Sequence, residues 1–336
     1  MSALLASLVD AALDLAVVPG YTKIGYHARR ALGWEEISPG STAGRRVLVT
    51  GATSGLGLAA AEALAGLGGS VHILARDRGR GERAAARIAQ ATGGEVQLEL
   101  ADLASLSSVR SFTRQFCAEQ DCLHVLVNNA GVLSGERELS AEGHELTFAT
   151  NVLGMFLLTN ELLPLLCAGA PSRIVNVSSG GMYTRRIEVS DLESEHGGYD
   201  GPGVYARTKR AQVILTELWA QRLAQRRIVV HAMHPGWADT PGIERSLPRF
   251  YRVMRPVLRT SAEGADTIVW LACAEGPGRS TGGFWHDRRM RSTHRVPWTR
   301  ETEADRRALW QACMRATGPN SPQTEAILSG PSEGAA

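Results

Sequence analysis

The chain has 336 residues, of which 44% are hydrophobic and 21% charged, and its formal net charge is only +2. This length allows one large domain or two small ones with a substantial core, and with so small a net charge nothing points to nucleic acid or an acidic polymer as a partner. Five cysteines without a CxxC pair or metal-ligand spacing predict reduced thiols in a cytoplasmic compartment and no bound metal.

The N-terminal stretch ALLASLVDAALDLAVV is apolar but contains Asp10 and Asp14. Each acid would cost about 2.5–3.5 kcal/mol at the centre of a bilayer, so the stretch is predicted not to span a membrane. An amphipathic helix is expected, because the acids share one face of a helical wheel and an apolar set shares another. That apolar set is Leu4, Leu8, Ala11, Ala12 and Leu15. The apolar face is expected either to pack on the protein's own body or a sister subunit, or to contact a membrane surface, which Lys23, Arg29 and Arg30 would favour.

From Arg45 onward, short apolar runs alternate with helical segments. The runs are RRVLVT, SVHILA, EVQLEL, HVLVNN, RIVNVS, RIVVHAM and a short seventh, GGFW. This alternation predicts an α/β fold with a doubly wound, Rossmann-type parallel sheet of seven strands and helices on both faces. We expect an amphipathic helix and connector at 1–44, a single catalytic domain with a C-terminal helical extension at 45–318, and a disordered Gly/Ser/Pro-rich tail at 319–336.

A glycine-rich loop follows the first predicted strand, in the run GATSGLG at residues 51–57, and leads into an alanine-rich helix. Glycines at a strand-to-helix turn permit a tight bend and let backbone N–H groups approach a pyrophosphate, which the helix N-terminus also favours. The sequence therefore predicts a dinucleotide site. Its candidate contacts in this loop are Gly51, Ser54, Gly55, Leu56 and Gly57.

The second predicted strand ends near Ala75 and is followed by Arg76 rather than by an acid. An acid at this place would hold the ribose 2′-hydroxyl of NAD, whereas a guanidinium would pair with a 2′-phosphate. NADP(H) is therefore the predicted cofactor, with NAD(H) as the alternative because Asp77 is adjacent. Arg76 could also be one solvated arginine of an arginine-rich stretch.

Tyr205 and Lys209 are four residues apart, which places both side chains on one face of a helix. An ammonium beside a phenol is expected to lower the pKa of the phenol, so Tyr205 could transfer a proton near neutral pH. The pair alone is weak evidence, since a tyrosine and a lysine on a helix surface are common. Together with Ser178-Ser179 and the glycine-rich loop, it predicts a nicotinamide-dependent oxidoreductase.

The segment after Thr240 carries apolar residues at the spacing of one helical stripe: Leu247, Phe250, Tyr251, Met254 and Leu258. Trp237 precedes this stripe. One interpretation is an apolar wall of a substrate pocket, which would favour a small lipophilic carbonyl or alcohol. The other is an ordinary amphipathic helix that packs on the core or on a partner subunit.

Over residues 45–290 the sequence resembles the short-chain dehydrogenase/reductase family, with the family's motifs in order. The resemblance implies a catalytic set of Asn151, Ser179, Tyr205 and Lys209. It implies further cofactor contacts at Asp102, Leu103, Asn129, Ala130, Pro235, Gly236 and Thr240, besides Tyr205 and Lys209 themselves. Asn151 is expected to position a water that relays protons past Lys209, and Ser178 is expected to support Ser179 from behind.

The segment between Ser179 and Tyr205 is longer than in many family members. This longer segment resembles that of the retinol-dehydrogenase-like branch. The runs YTKIGY, HPGWADTPG and FWHDRRMRSTHR resemble stretches of the branch of dehydrogenase/reductase family member 12. The resemblance implies an NADP(H)-dependent carbonyl reductase or alcohol dehydrogenase. A homo-oligomer is also expected, by analogy with other proteins of this fold. A non-catalytic NADP-binding regulator or scaffold is the rival interpretation, which retention of the catalytic side chains disfavours.

Overall fold

The computed structural model describes residues 3–329, and within them a central sheet is covered by helices on both faces. The strands of this range are β1 (Arg46–Thr50), β2 (Ser70–Ala75), β3 (Val96–Leu100), β4 (Val125–Asn128), β5 (Ser172–Val177), β6 (Ile228–Met233), β7 (Phe284–His286) and β8 (Arg289–Arg291). Their order across the sheet is β3-β2-β1-β4-β5-β6-β7-β8. All neighbours are parallel except β7 and β8. The predicted doubly wound, Rossmann-type sheet is confirmed.

The helices lie between and beyond these strands. They are α1 (Ala3–Leu15), α2 (Val17–Tyr21), α3 (Lys23–Ala31), α4 (Gly55–Gly66), α5 (Arg78–Thr92), α6 (Leu106–Glu119), α7 (Leu146–Phe148), α8 (Met155–Glu161), α9 (Leu163–Ala168), α10 (Gly201–Arg222), α11 (Pro241–Ser246), α12 (Pro248–Met254), α13 (Ser261–Cys273), α14 (Glu303–Thr317) and α15 (Pro322–Leu328). A π-helical turn, Ala149–Gly154, joins α7 to α8. No helix in residues 3–329 has both the length and the hydropathy needed to cross a bilayer.

Two hydrophobic cores flank the sheet, because successive strand residues point to opposite faces. Val47 and Val49 of β1 pack with α4, α5 and α13, whereas Leu48 packs with the core that contains α6, α8, α10 and α14. The carboxyl ends of β1 and β4, which lie side by side at the point where the strand order reverses, are left open for a ligand.

The sheet has eight strands in the described residues, one more than the seven predicted. The extra strand, β8, pairs with β7 through a two-residue turn at Asp287 and Arg288, whose φ angles are 50° and 57°. Such turns usually carry Asn-Gly or Asp-Gly, so Asp-Arg does not predict a hairpin here. With three residues, β8 is also too short to show an alternating pattern.

The sequence predicts a disordered tail at 319–336, but part of this tail is helical. Ser321 caps α15 by accepting a hydrogen bond from the N–H of Thr324 at 3.1 Å, and Pro322 occupies the first turn. Thr324 and Ile327 are buried, and the Thr324 hydroxyl donates to the Asn160 carbonyl at 3.1 Å. The predicted disorder is therefore wrong for 322–328, while residues 330–336 lie outside the described part of the chain.

Helix α1 forms as predicted, but it packs on the protein through its acids rather than its leucines. Asp10 is 5% exposed, whereas Leu8 and Leu15 are 59% and 83% exposed. The interpretation in which the apolar face packs on the protein's own body is therefore wrong. The acidic face of α1 packs on the protein because arginines on other segments bind Asp10 and Asp14.

A buried ion cluster fixes α1–α3 to the β7–β8 hairpin. Arg29 donates to Asp10 at 2.8 Å and to Asp287 at 2.6 Å. Arg259 binds both carboxylate oxygens of Asp287, at 2.6 and 2.8 Å. Each of these four side chains is almost fully buried, so the charges can be tolerated only because they are paired.

Candidate active site

A cavity of about 610 Å³ opens at the carboxyl ends of β1 and β4. Every cofactor-contacting residue predicted from the sequence lines this cavity, and so do Ser179, Tyr205 and Lys209. Asn151 does not line it, because its side chain is fully buried behind the wall. The fold thus brings together residues that are more than 180 positions apart in the sequence, from Gly51 to Thr240.

The glycine-rich loop has the geometry that a dinucleotide pyrophosphate requires. Gly51 has a φ of 66°, which glycine adopts without strain, and α4 begins at Gly55 with its first N–H groups at the cavity. A Cβ on Gly57 would collide with the Asn129 side chain and the Gly51 carbonyl. Asn129 braces this turn by donating to the carbonyls of Thr50 and Gly51 at 2.9 and 3.3 Å. The loop therefore fits a bound dinucleotide.

At the end of β2, Arg76 and Asp77 are both exposed and both line the cavity. The Asp77 carboxylate caps α5 by accepting a hydrogen bond from the N–H of Arg80 at 2.7 Å. This hydrogen bond uses one oxygen of the only carboxylate at the end of β2, beside the exposed Arg76 guanidinium. Arg80, which the sequence placed in a solvated stretch, also lines the cavity.

Ser179 and Tyr205 meet at the cavity wall. Ser179 follows β5, and its hydroxyl accepts a hydrogen bond from the N–H of Gly181 at 3.1 Å. Burial raises the pKa of Tyr205 to about 12, a rise that a hydrogen bond with Ser179 opposes. Ser178 also lines the cavity, and its hydroxyl donates to the Lys209 carbonyl at 2.8 Å, which connects it to α10.

Lys209 does not lower the pKa of Tyr205 in this structure, contrary to the expectation from their spacing. Its Nζ lies 5.4 Å from the centroid of the Tyr205 ring and donates to the Val177 carbonyl at 2.8 Å. Burial lowers the pKa of Lys209 to about 7. Both groups are buried, and burial disfavours the charged form of each more than either charge could help the other.

Gln212 connects Lys209 to Asn151, a link that the sequence analysis missed. Its side-chain oxygen accepts a hydrogen bond from Lys209 Nζ at 3.1 Å, and its amide donates to the Asn151 carbonyl at 2.7 Å. The Asn151 side chain is paired with the backbone of Val132, at 2.8 and 2.9 Å. Gln212 thus binds the backbone carbonyl of Asn151, and the relay role of Asn151 stays a prediction. The detectable signal was the spacing of Tyr205, Lys209 and Gln212, which puts all three on one helix face.

The Pro235-Gly236 segment is held from behind by Arg259. This guanidinium donates to the Pro235 carbonyl at 3.2 Å and to the Thr22 carbonyl at 3.3 Å, besides binding Asp287. The backbone N–H of Trp237 donates to the Tyr21 carbonyl at 2.7 Å. The N-terminal helices therefore position one wall of the cavity, which no local sequence pattern indicated.

The segment after Thr240 is not the single helix that the apolar stripe predicted. It divides into α11, α12 and a 3₁₀ turn at Arg255–Val257, with Leu247 (φ −134°) between the two helices. The break arises because Pro248 follows Leu247, and a residue before proline avoids the α conformation. Leu247 and Phe250 line the cavity with Trp237, whose ring is 5.0 Å from that of Phe250. We call residues 241–257 the lid segment.

The rest of the stripe has other roles. Tyr251 donates to Asp239 at 3.0 Å on the surface, and Leu258 is buried. The long segment between Ser179 and Tyr205 contributes Gly181, Thr184 and Pro202 to the cavity wall. The wall beyond Ser179, Tyr205 and Lys209 is therefore built from the lid segment, the 180–204 segment and Trp237.

Comparison with known proteins gives a consistent result. The sequence model described as short chain dehydrogenase matches residues 45–248. Dehydrogenase/reductase SDR family member 12 from Bos taurus is 41% identical over 276 residues, which cover 82% of this chain and 86% of that protein. Retinol dehydrogenase 14 from Mus musculus is 39% identical over 268 residues, covering 74% of this chain and 79% of that protein.

Among solved structures, an uncharacterised protein from Mycobacterium Paratuberculosis superimposes with a TM-score of 0.68 at 29% sequence identity. The match covers 84% of this chain and 97% of that chain. These similarities agree with the resemblance to family member 12 and to the retinol-dehydrogenase-like branch that the sequence motifs indicated.

Proposed function

The chain belongs to the short-chain dehydrogenase family and is an oxidoreductase that acts on CH–OH or C=O groups, and from this premise we propose that it uses NADP(H) and a lipophilic carbonyl or alcohol. The observation that carries the proposal is the convergence of Ser179, Tyr205 and Lys209 on one cavity that the glycine-rich loop, Arg76 and apolar side chains complete.

Arg76 supports NADP(H) over NAD(H). An exposed guanidinium at the end of β2 can pair with a 2′-phosphate, and the neighbouring acid, Asp77, already caps α5. Arg80 adds a second positive charge to the same wall of the cavity. An NAD-binding site would instead need a carboxylate turned toward the ribose.

The catalytic roles follow from protonation state and position. When bound, the nicotinamide supplies or accepts the hydride. Burial raises the pKa of Tyr205 to about 12, which keeps the phenol protonated at neutral pH, as a proton donor to a carbonyl oxygen must be. The Ser179 hydroxyl would hydrogen-bond the same oxygen, where negative charge develops. Lys209, held by Val177 and Gln212, would bind the ribose of the coenzyme.

The substrate class is inferred from the outer part of the cavity. Leu247, Phe250 and Trp237 form an apolar wall, with Leu133 and Ile243 also lining the cavity. Walls of this kind favour apolar ligands, with a few polar groups fixing orientation.

The five cysteines are free thiols, which supports a reducing compartment.

A chain-length series tests this proposal. NADPH oxidation would be followed with straight-chain aldehydes of increasing length, and kcat/KM is expected to rise by up to about fourfold per methylene, the equivalent of about 0.8 kcal/mol. Tyr205→Phe serves as the catalytic control. It should reduce kcat by about 10²- to 10⁴-fold and leave NADPH binding within a few-fold, because only the hydroxyl is removed.

Three results would contradict the proposal in different ways. A flat series, or a preference for small polar carbonyls, would exclude the lipophilic substrate. A Tyr205→Phe variant that retained more than about a tenth of wild-type kcat would exclude Tyr205 as the proton donor. NADPH binding without turnover of any aldehyde, ketone or alcohol would favour the non-catalytic alternative.

A further inference from the structure

The peptide group that joins Ser179 to Gly180 is held by hydrogen bonds at both of its polar atoms. Its N–H donates to Nδ1 of His234 at 2.9 Å, and its carbonyl accepts a hydrogen bond from the N–H of Met182 at 3.1 Å. The next N–H along the chain, that of Gly181, donates to the Ser179 hydroxyl at 3.1 Å. The orientation of this peptide group therefore determines where the Ser179 hydroxyl is held.

His234 approaches this peptide group from the end of the neighbouring strand, β6, and its own position is fixed on several sides. Its backbone N–H donates to the Trp285 carbonyl at 2.8 Å, and its carbonyl accepts a hydrogen bond from Nδ1 of His286 at 2.9 Å. Its ring stacks on the His286 ring, with centroids 4.7 Å apart, and meets the Tyr21 ring at a steep angle at 4.3 Å. These contacts hold Nδ1 at one place relative to the Gly180 N–H.

A histidine at this position is not explained by packing alone. His234 is 2% exposed, and its Nε2 has no hydrogen-bond partner within residues 3–329. Burial holds the pKa of the ring well below its ordinary value, so the ring is neutral, and the proton lies on Nε2 because Nδ1 accepts a hydrogen bond. A buried N–H without a partner is unfavourable, and an apolar side chain would avoid it. What the histidine adds is an acceptor for the Gly180 N–H.

Gly180 leaves the room that this contact needs. A Cβ at this residue would lie 2.8 Å from Nε2 of His234 and 2.8 Å from Cε2 of Tyr21, closer than carbon atoms approach in proteins. A larger residue would therefore push the His234 ring away from the peptide group after Ser179. The glycine and the histidine thus form one arrangement.

We propose that His234 is a positioning residue for the reaction: by accepting the Gly180 N–H, it holds the Ser179 hydroxyl where that hydroxyl can donate to the reacting oxygen. The Gly181 N–H already donates to the Ser179 oxygen, so the hydroxyl proton is left for the substrate. Pro235 and Gly236, which follow His234, line the cavity. His234 therefore also sets the distance between Ser179 and that wall. This inference rests on the proposed function, in particular on the role of Ser179.

Three substitutions of His234 test the acceptor itself, with decanal as substrate and NADPH as coenzyme. His234→Leu should lower kcat by about ten- to hundredfold and leave the dissociation constant of NADPH within about threefold. His234→Asn carries its amide oxygen on the same carbon that bears Nδ1 in histidine, so it should keep kcat within about threefold of the wild type. In His234→Gln the oxygen lies one bond farther out, and kcat should fall as in His234→Leu. The two amide variants keep the test informative if the leucine variant does not fold.

Two controls separate positioning from a general loss of structure. His231 lies on the same strand, is 1% exposed, and accepts the Gly283 N–H at Nδ1 at 3.1 Å. His231→Leu should lower the urea midpoint of unfolding and leave kcat within about twofold, because it does not touch the peptide group after Ser179. Ser179→Ala/His234→Leu should have the kcat of Ser179→Ala alone, because the effect of His234 passes through the Ser179 hydroxyl.

The proposal is overturned if His234→Leu keeps the wild-type kcat, or if His234→Asn and His234→Gln have the same kcat. It is also overturned if His234→Leu lowers kcat by the same factor with and without the Ser179 hydroxyl, since the histidine would then act on the structure at large. If Ser179→Ala itself keeps the wild-type kcat, the proposed role of Ser179 is wrong, and the role of His234 is wrong with it.

Discussion

Burial sets the protonation of the two residues that the sequence identified as a proton-transferring pair. It raises the pKa of Tyr205 to about 12 and lowers that of Lys209 to about 7, so both neutral forms are favoured before coenzyme binds. A neutral phenol is the competent state for carbonyl reduction. Gln212 and Val177 supply acceptors for Lys209, so its donor protons remain satisfied in the buried site.

Arg76→Ala tests coenzyme selection at the level of one side chain. Loss of a charge-assisted pair with a 2′-phosphate should weaken NADPH binding by about ten- to hundredfold and leave NADH binding nearly unchanged. Dissociation constants for both coenzymes, measured by the quenching of tryptophan fluorescence, would decide. Arg78→Ala is the matched control, because Arg78 is an exposed neighbour that pairs with Glu82 and does not line the cavity. Equal losses for NADPH and NADH in Arg76→Ala would show that this guanidinium does not recognise the 2′-phosphate.

Among the elements, the β7–β8 hairpin has a larger role than its length suggests. Its turn residue Asp287 binds Arg29 of α3 and Arg259, and Arg259 holds the Pro235 carbonyl at the cavity. Burial alone would raise the pKa of Asp287, but His286 and the two arginines hold it well below its ordinary value. The hairpin therefore connects the N-terminal helices to one wall of the candidate active site.

Asp287→Asn should destabilise the protein strongly, because it leaves two buried guanidinium groups without their shared carboxylate. Breaking a buried ion pair in this way costs about 3–5 kcal/mol in the free energy of unfolding. Asparagine tolerates the positive φ of this position, so the change tests charge rather than backbone strain. Urea unfolding would be compared with Asp200→Asn, which removes an exposed ion pair with Arg185 and should cost less than about 1 kcal/mol. A similar small loss in both variants would show that the cluster does not fasten the hairpin.

At the scale of the whole molecule, the candidate active site buries a titratable lysine among elements from distant parts of the chain. The parallel strands place their carboxyl ends at one edge, the helices α4 and α10 converge there, and the lid segment closes one side. Lys209 is enclosed by this assembly to 3% exposure. Its titration therefore reports on the folding of the entire domain.

The pH dependence of unfolding should carry the contribution of Lys209 in the coenzyme-free protein. Its pKa is about 7 when folded and near 10.5 when unfolded, so between these values the unfolded chain holds a proton that the folded chain has released. The free energy of unfolding should therefore rise with pH across this window, by up to about 1.4 kcal/mol per pH unit from this group.

Lys209→Met removes the titrating group and keeps an unbranched side chain. Urea unfolding of both proteins between about pH 7.5 and 9.5 should give a steeper rise for the wild type than for the variant. Tyr205 does not confuse the comparison, because its pKa lies above this window in both states. Parallel pH profiles would mean that Lys209 stays protonated in the folded protein.

The features that depend on a local pattern could be predicted from the amino-acid sequence. Short apolar runs alternating with helices specified a parallel sheet, and a glycine-rich run directly after the first strand specified the phosphate loop. The order of the family motifs identified Ser179, Tyr205 and Lys209, and the structure places all three on the cavity with the loop. Such features are predictable because each is encoded within one turn or one helix face.

The partners that oppose each helix face could not be predicted, because they come from distant segments. Periodicity showed that α1 has an apolar and an acidic side, but its orientation depends on Arg291 and Arg295, about 280 positions away. Distant contacts also join α3 to the β7–β8 hairpin, through Arg29 and Asp287, and connect Lys209 to Asn151 through Gln212. The direction of the Tyr205 pKa shift depends on burial. Burial and buried ion pairs exist only once separate segments have excluded water together, so no local pattern in the chain can encode them.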